Sequence, residues 1–451
     1  MSFHQKPLNL LNQRWIKGLL KNRLYPALFQ WAAVVVFALI TLETLFGPSA
    51  PDENFGSAAT WVIWWPLIPL LFFLLGRFWC AICPFGWLSD KVQTLWGANR
   101  KVPQFIKTYG LWIIDITFLL ITWGDHIWGI VENPRGTGVL LLMITGSVLV
   151  IATLFERRTW CRYLCFLGSL SGNYSRAGML ELRADQAICR TCKTKDCFTG
   201  TAKVPGCPMF EFPMTMTTNA NCNLCANCVK TCTHDSIRLS PRIPTSEFWD
   251  MTRTRFEEAF LALVIVGIVL IQNITMLDFY PELLQWIERT TGIHHTNTAF
   301  TLLFLAAMAA PVLILFAAAA VSKQFTGDTC RTAFTHFGYA VIPLDLAAHM
   351  AHNLFHLLAE GKAVYFTTMG LFGMSMPMGS MRIISDPVIE MMQYTLVILG
   401  MLGSLYTVYR IARHRYPNAK LFPVVLPYMT IIALFGIVNY LTFTVRMGMR
   451  M

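Results

Sequence analysis

Nine stretches of this chain stay apolar for about 18 to 24 residues, long enough for a helix to cross a hydrocarbon core about 30 Å thick. They cover residues 28–46, 58–76, 108–131, 138–155, 258–276, 298–321, 337–358, 388–409 and 422–444. Inside a bilayer no water satisfies the backbone, so only helices or closed barrels can span it. Runs of this length and continuity specify helices. The 451-residue chain is 55% hydrophobic and only 14% charged, against about a quarter charged in soluble domains. The expected fold is a polytopic α-helical membrane protein of about nine transmembrane helices, interrupted by one polar insert at 156–256.

Charge sets the expected orientation. With the N-terminus inside, only six of the 36 Lys and Arg (Arg135, Arg289, Lys362, Arg382, Arg446, Arg450) fall outside, while Asp52, Glu53, Glu132, Asp278, Glu282 and Glu288 all do. Basic loops resist translocation. The N-terminus and the insert are therefore expected on the cytoplasmic side of the membrane and the C-terminus on the outer side. This asymmetry accounts for the net charge of +11 without a nucleic-acid partner. Residues 1–27 place Leu10, Leu11, Trp15, Leu19 and Leu20 among Arg14, Lys17, Lys21 and Arg23. That pattern suits an amphipathic helix lying on membrane lipid better than a cleaved signal peptide. The chain thus divides into an interfacial helix (1–27), four spans (28–155), a ferredoxin-like insert (156–256) with short strands near Glu181–Arg183 and Ile237–Leu239, and five spans (257–451).

Twelve of thirteen cysteines form four clusters. The densest reads Cys222-x2-Cys225-x2-Cys228-x3-Cys232, and its complement is Cys189-x2-Cys192-x4-Cys197 followed by Cys207-Pro208. In two-cluster ferredoxins the fourth cysteine of each run ligates the other cubane. One [4Fe–4S] cluster is then expected on Cys222, Cys225, Cys228 and Cys207, and a second on Cys189, Cys192, Cys197 and Cys232. Disulfides would need an oxidising compartment, and zinc prefers two separate pairs to this crowded run. Cys80-x2-Cys83-Pro84 and Cys161-x3-Cys165 stand apart, each following a returning span. If those hairpins pack together, four thiolates converge on a third metal cluster or a redox-active thiol site; otherwise these cysteines only dock the insert. Cys330 is alone and reads as structural.

The run Arg77-Phe78-Trp79-Cys80-Ala81-Ile82-Cys83-Pro84-Phe85-Gly86, its echo at Arg158-Thr159-Trp160-Cys161 and Cys165, and the eight-cysteine insert resemble the NapH/NosR/CcoG group of membrane polyferredoxins. The resemblance covers about residues 55–245. It implies two cytoplasmic [4Fe–4S] clusters and electron transfer between the quinol pool or cytoplasm and periplasmic respiratory enzymes; some members instead reduce copper during oxidase assembly. Phe166 stands where many relatives carry proline, Thr233 replaces a usual proline, and no large flavin-binding domain is present. Residues 258–451 lie outside the resemblance.

That remaining half carries Asp345, His349, His352 and His356, which share an arc of about 60° on a helix of 3.6 residues per turn. Ionisable residues in a bilayer are costly and usually face a bundle interior or a site. Three readings stand: a copper or zinc site, a haem b ligand, or histidines satisfied by helix–helix hydrogen bonds. Met369, Met374, Met376, Met378 and Met381 follow, as a soft-ligand loop or as packing. Asp115 and Asp125 lie in or near the third span, where they would line a proton or quinone path. Two functions are expected to compete. One is an oxidoreductase component of the quinol-dehydrogenase type, passing quinol-pool or cytoplasmic electrons to a periplasmic or membrane redox partner protein. The other is a copper-handling assembly factor. A metal-sensing regulator is disfavoured, because no signalling module is present.

Overall fold

The structure is a computed structural model describing residues 8–374, 379–445 and 447–448. Met376 and Met378 of the methionine loop, and residues 1–7 of the N-terminal segment, lie outside the described residues. The chain is mostly helical. Among the described residues eight helices are long and apolar enough to cross a membrane: Ala27–Phe46, Phe55–Leu75, Gln104–Trp128, Pro134–Leu154, Phe256–Ile274, Thr296–Thr326, Asp386–Arg415 and Leu421–Thr444.

The expected span at 337–358 differs. It is a broken element: a helix Cys330–Gly338, a 3-10 turn Tyr339–Val341, then a helix Ile342–Ala359 that restarts with Pro343 in its first turn. Proline lacks an N–H, so it suits a helix start and breaks a helix interior. One aspartate, one asparagine and three histidines make this 18-residue helix too polar to join the eight. It is instead buried by neighbouring helices on nearly every side.

The chain forms two compact units, each discontinuous in sequence: residues 1–39, 70–114 and 142–247, and residues 40–69, 115–141 and 248–451. In the first unit, strands Leu180–Ala184 and Ile237–Pro241 pair antiparallel, with Leu182 opposite Leu239. Their inward residues Leu182, Ile237 and Leu239 pack with Met216, Ala226 and Val229. The helix Arg14–Lys21 lays Ile16 and Leu20 against this small core. Lys17 and Lys21 reach Asp235 at 3.1 and 3.4 Å, and Asn9 accepts from the Leu239 N–H. Trp15 and Leu19 on the same helix stay exposed. The amphipathic segment therefore has two apolar contacts to make, one on its own unit and one left for lipid.

The helix Phe166–Ala177 is buried along almost its whole length. Beside it Glu247 gathers Arg242, Arg183 (3.2 Å) and Arg176 (3.7 Å) while accepting the Asn219 N–H at 3.1 Å. A charge this buried persists only when paired and hydrogen-bonded. The network fixes the segment that leads into Cys222.

In the second unit, Phe256–Ile274 is the most enclosed of the eight, with 72% of its apolar window buried against 11% for Ala27–Phe46. The first reads as a central helix and the second as one facing lipid. Small residues permit the close approaches. A side chain at Gly267 would collide with the Ala307 carbonyl, and one at Gly400 with Ala347. Ser404 Oγ accepts the Leu344 N–H at 2.9 Å, replacing part of what the helix start at Pro343 leaves unsatisfied.

Candidate metal centre

The cysteines of the first unit gather into three groups, all half-buried. Cys207 lies within electrostatic reach of Cys222, Cys225 and Cys228, though 15 residues or more separate it from them in sequence. Cys197 is likewise close to Cys189, Cys192 and Cys232. Ser236 links two members of that second group: its N–H donates to Cys232 Sγ at 3.3 Å, and its hydroxyl lies 3.0 Å from Cys189 Sγ. Cys228 also senses Cys197, so the two groups adjoin. The structure thus places these eight cysteines in two adjoining groups of four.

The connecting loops are built to wrap something. Lys195, Phe210, Leu224 and Ala226 all adopt positive φ, a conformation that costs a side-chain-bearing residue energy and that collects at functional sites. Backbone N–H groups turn toward sulfur as a result: Leu224 toward Cys222, Asn227 toward Cys225, Met209 and Glu211 toward Cys207. Tyr25 Oη donates to the Leu224 carbonyl at 2.7 Å and steadies the tightest loop.

The third group is Cys80, Cys83, Cys161 and Cys165, mutually close across the two hairpin ends. Cys83 caps the helix Pro84–Trp96 and Cys165 caps Phe166–Ala177. Helix N-termini carry partial positive charge, which favours thiolate. The N–H groups of Phe85 and Gly86 point at Cys83. Arg158 holds Asp90 through two bonds of 2.7 and 2.6 Å and sets Nη1 3.9 Å from Cys161 Sγ. Gly86 makes room for that guanidinium, which a side chain there would strike. Arg77 adds a second cation near Cys165 while donating to the Ala220 carbonyl at 2.6 Å. Sequence reasoning did not give roles to Arg77, Arg158 or Asp90. The signal was present, since each arginine precedes the first cysteine of its motif by three residues.

Burial, then neighbouring thiolates, push Cys83 up to about 12. Burial does the same to Cys222 and Cys225, both about 12, and to Cys197, about 11. Cys165 and Cys228 rise further for the same reasons. Cys192 moves down instead, because the Lys195 N–H and the Thr194 hydroxyl stabilise its thiolate. Without metal most of these thiols are neutral, so a metal must displace their protons. An all-thiol donor set with amide donors and two arginines fits an anionic iron–sulfur cubane. Among the described residues no three His, Cys, Asp or Glu converge as a single-ion site. A cubane asks for less convergence, since each thiolate binds its own iron.

The same observation bears on the histidine stripe. His352 Nδ1 lies 2.7 Å from Asn273 Oδ1, His356 Nδ1 lies 3.1 Å from Glu360 Oε2, and the His349 ring faces Trp65 at 6.2 Å. The three rings point to three different neighbours rather than to one centre. Among the described residues no three His, Cys, Asp or Glu gather there as a single-ion site. Neither Asn273 nor Glu360 was singled out in the sequence: Asn273 lies 79 residues from its partner, and Glu360 lies just past the helix.

A family profile described as a 4Fe-4S binding domain matches residues 57–103 and 137–181. These two segments contain Cys80, Cys83, Cys161 and Cys165 and none of the eight cysteines of the insert. Among curated proteins the chain is similar to YccM of Escherichia coli, named for electron transport (32% identical over 190 residues, 35% of this chain and 49% of that protein). It is also similar to the ferredoxin-type protein NapH of Escherichia coli (26% over 223 residues, 45% and 74%) and to the regulatory protein NosR of Pseudomonas aeruginosa (26% over 179 residues, 35% and 25%). The matched stretch thus spans about half of YccM and a quarter of NosR. No solved structure matches the chain. The chain is thus similar to NapH- and NosR-type iron–sulfur electron-transport proteins, with two segments that match a 4Fe-4S binding domain and eight membrane-length helices among the described residues.

Proposed function

We propose that this protein is a membrane electron carrier holding three [4Fe–4S] clusters, two in the insert and a third on Cys80, Cys83, Cys161 and Cys165, and that it exchanges electrons with membrane quinone. The observation that carries this is the gathering of twelve cysteines into three fourfold groups. Cys222, Cys225, Cys228 and Cys207 would hold one cluster, and Cys189, Cys192, Cys197 and Cys232 the next. Bound clusters supply one-electron transfer. The residues of the chain fix the spacing, and Arg77 and Arg158 favour the reduced, more negative form of the third cluster.

Orientation follows from the charge distribution: the insert cytoplasmic, the spans in a bacterial inner membrane, and the C-terminus periplasmic. A hydrocarbon core about 30 Å thick is too wide for one efficient hop. A mobile quinone would link the clusters to an acceptor at the periplasmic face. Copper handling is the weaker reading, because among the described residues no three ligand side chains gather as a single-ion site. The test is anaerobic. Protein reduced with dithionite and freed of excess reductant is mixed with a short-chain quinone, and the broad iron–sulfur absorption is followed. Reoxidation by quinone, absent when Cys83 is changed to serine, supports the proposal. Clusters that ignore quinone in the wild-type protein contradict it.

A further inference from the structure

Polar groups buried among membrane helices are costly, and chains of Asp, Glu and His there mark proton paths. The second unit contains such a chain. At one end Tyr339 Oη donates to Glu258 Oε2 at 2.7 Å. Asp115 lies within electrostatic reach of Glu257 and Glu258, with both carboxylate oxygens buried and without a hydrogen-bond partner. Asp345, His349, His352 and His356 follow along one face of Ile342–Ala359, each at most 2% exposed. The His352 and His356 rings stand 5.1 Å apart. The last hydrogen bond reaches Glu360, itself 1% exposed. At helical rise the stretch from Tyr339 to Glu360 covers about 30 Å, the thickness of a hydrocarbon core.

We propose that the second unit conducts protons along this buried face. His352 keeps Nδ1 on the Asn273 amide oxygen and takes and releases protons at Nε2, while His356 takes a proton from the His352 side and releases one from Nδ1 to Glu360. Asp115 and Asp345 exchange protons at one end, and Glu360 at the other. No bond other than N–H and O–H forms or breaks, and no redox partner is needed for conduction. Packing neighbours fix how two of the rings are turned: Asn273 on His352, and Trp65 against His349. The tight packing at Gly400 lies on the opposite face of the helix, at Pro343 and Ala347. The physiological use rests on the quinone reading above, since oxidising a quinol sends two electrons to clusters one at a time and leaves two protons to remove.

The test uses the full-length protein in potassium-loaded liposomes containing a pH-sensitive dye. Valinomycin makes the interior negative and draws protons inward. Wild-type vesicles are expected to acidify faster than protein-free vesicles, and Asp345→Asn and His356→Gln to fall to the protein-free rate with iron content unchanged. Cys225→Ser, which touches only the other unit, is expected to keep the flux. Iron-loaded wild type no faster than protein-free vesicles overturns the proposal, as does flux surviving both substitutions. So does stoichiometric haem or copper that is lost with His356→Gln. A protein that conducts but holds no iron defeats the quinone reading and leaves the proton path standing.

Discussion

The two units handle chemically active side chains in opposite ways. In the first, the backbone does the positioning: strained loops at Lys195, Leu224 and Ala226 aim amides at sulfur, and little apolar core lies beneath them. In the second, the active side chains sit on a helix, Ile342–Ala359, and position each other, as His352 with Asn273 and His356 with Glu360. A loop region with a small core depends on its metal for folding. Helices packed closely at Gly267 and at Gly400 depend on shape.

That contrast is broken first by ligand loss. Cys225→Ser is expected to remove one cluster's iron and sulfide and to loosen the insert, while His352→Ala leaves iron content unchanged; iron analysis of both variants decides. If His352→Ala sheds iron, the units are not independent in this sense. Second, Glu247→Ala strands Arg176, Arg183 and Arg242, and removing one partner from so buried a network costs about 3–5 kcal/mol. The iron–sulfur absorption of this variant should bleach at lower temperature than wild type. Third, Gly267→Val forces Phe256–Ile274 off Ala307 and costs about 1–3 kcal/mol; thermal unfolding in detergent should show the loss, with iron per chain unchanged in the folded fraction.

The smallest effect is a pH dependence in the second unit. Burial alone would raise Asp328, but hydrogen bonds from Arg415 and Tyr416 outweigh it and hold the carboxyl below its ordinary value, about 3.9. Such a group stabilises fully above its unfolded value, and that contribution is lost as pH falls through the lower folded one. Asp328→Asn should therefore melt below wild type at neutral pH, and the gap should close on acidification below about pH 4. A gap that widens in acid would contradict the assignment.

How much of this was legible in the sequence also differs between the units. The interleaved cysteine spacing was the most legible feature of the first unit, because ligand loops are local and spacing fixes their reach. The strand pair was visible at Glu181–Arg183 and Ile237–Leu239 for the same reason. Long-range partners were not: Asn273 meets His352 only through packing, and Arg158 meets Asp90 across two hairpins. Periodicity placed Asp345, His349, His352 and His356 on one face correctly, but not where each ring points. The expected span at 337–358 was read as unbroken because its apolar content hid the effect of Pro343.

The most direct test of the central claim is iron and acid-labile sulfide per chain in anaerobically purified protein, with EPR after dithionite reduction. Three cubanes predict about twelve of each, falling to about eight in Cys83→Ser. A wild-type value near eight that Cys83→Ser leaves unchanged would contradict the account.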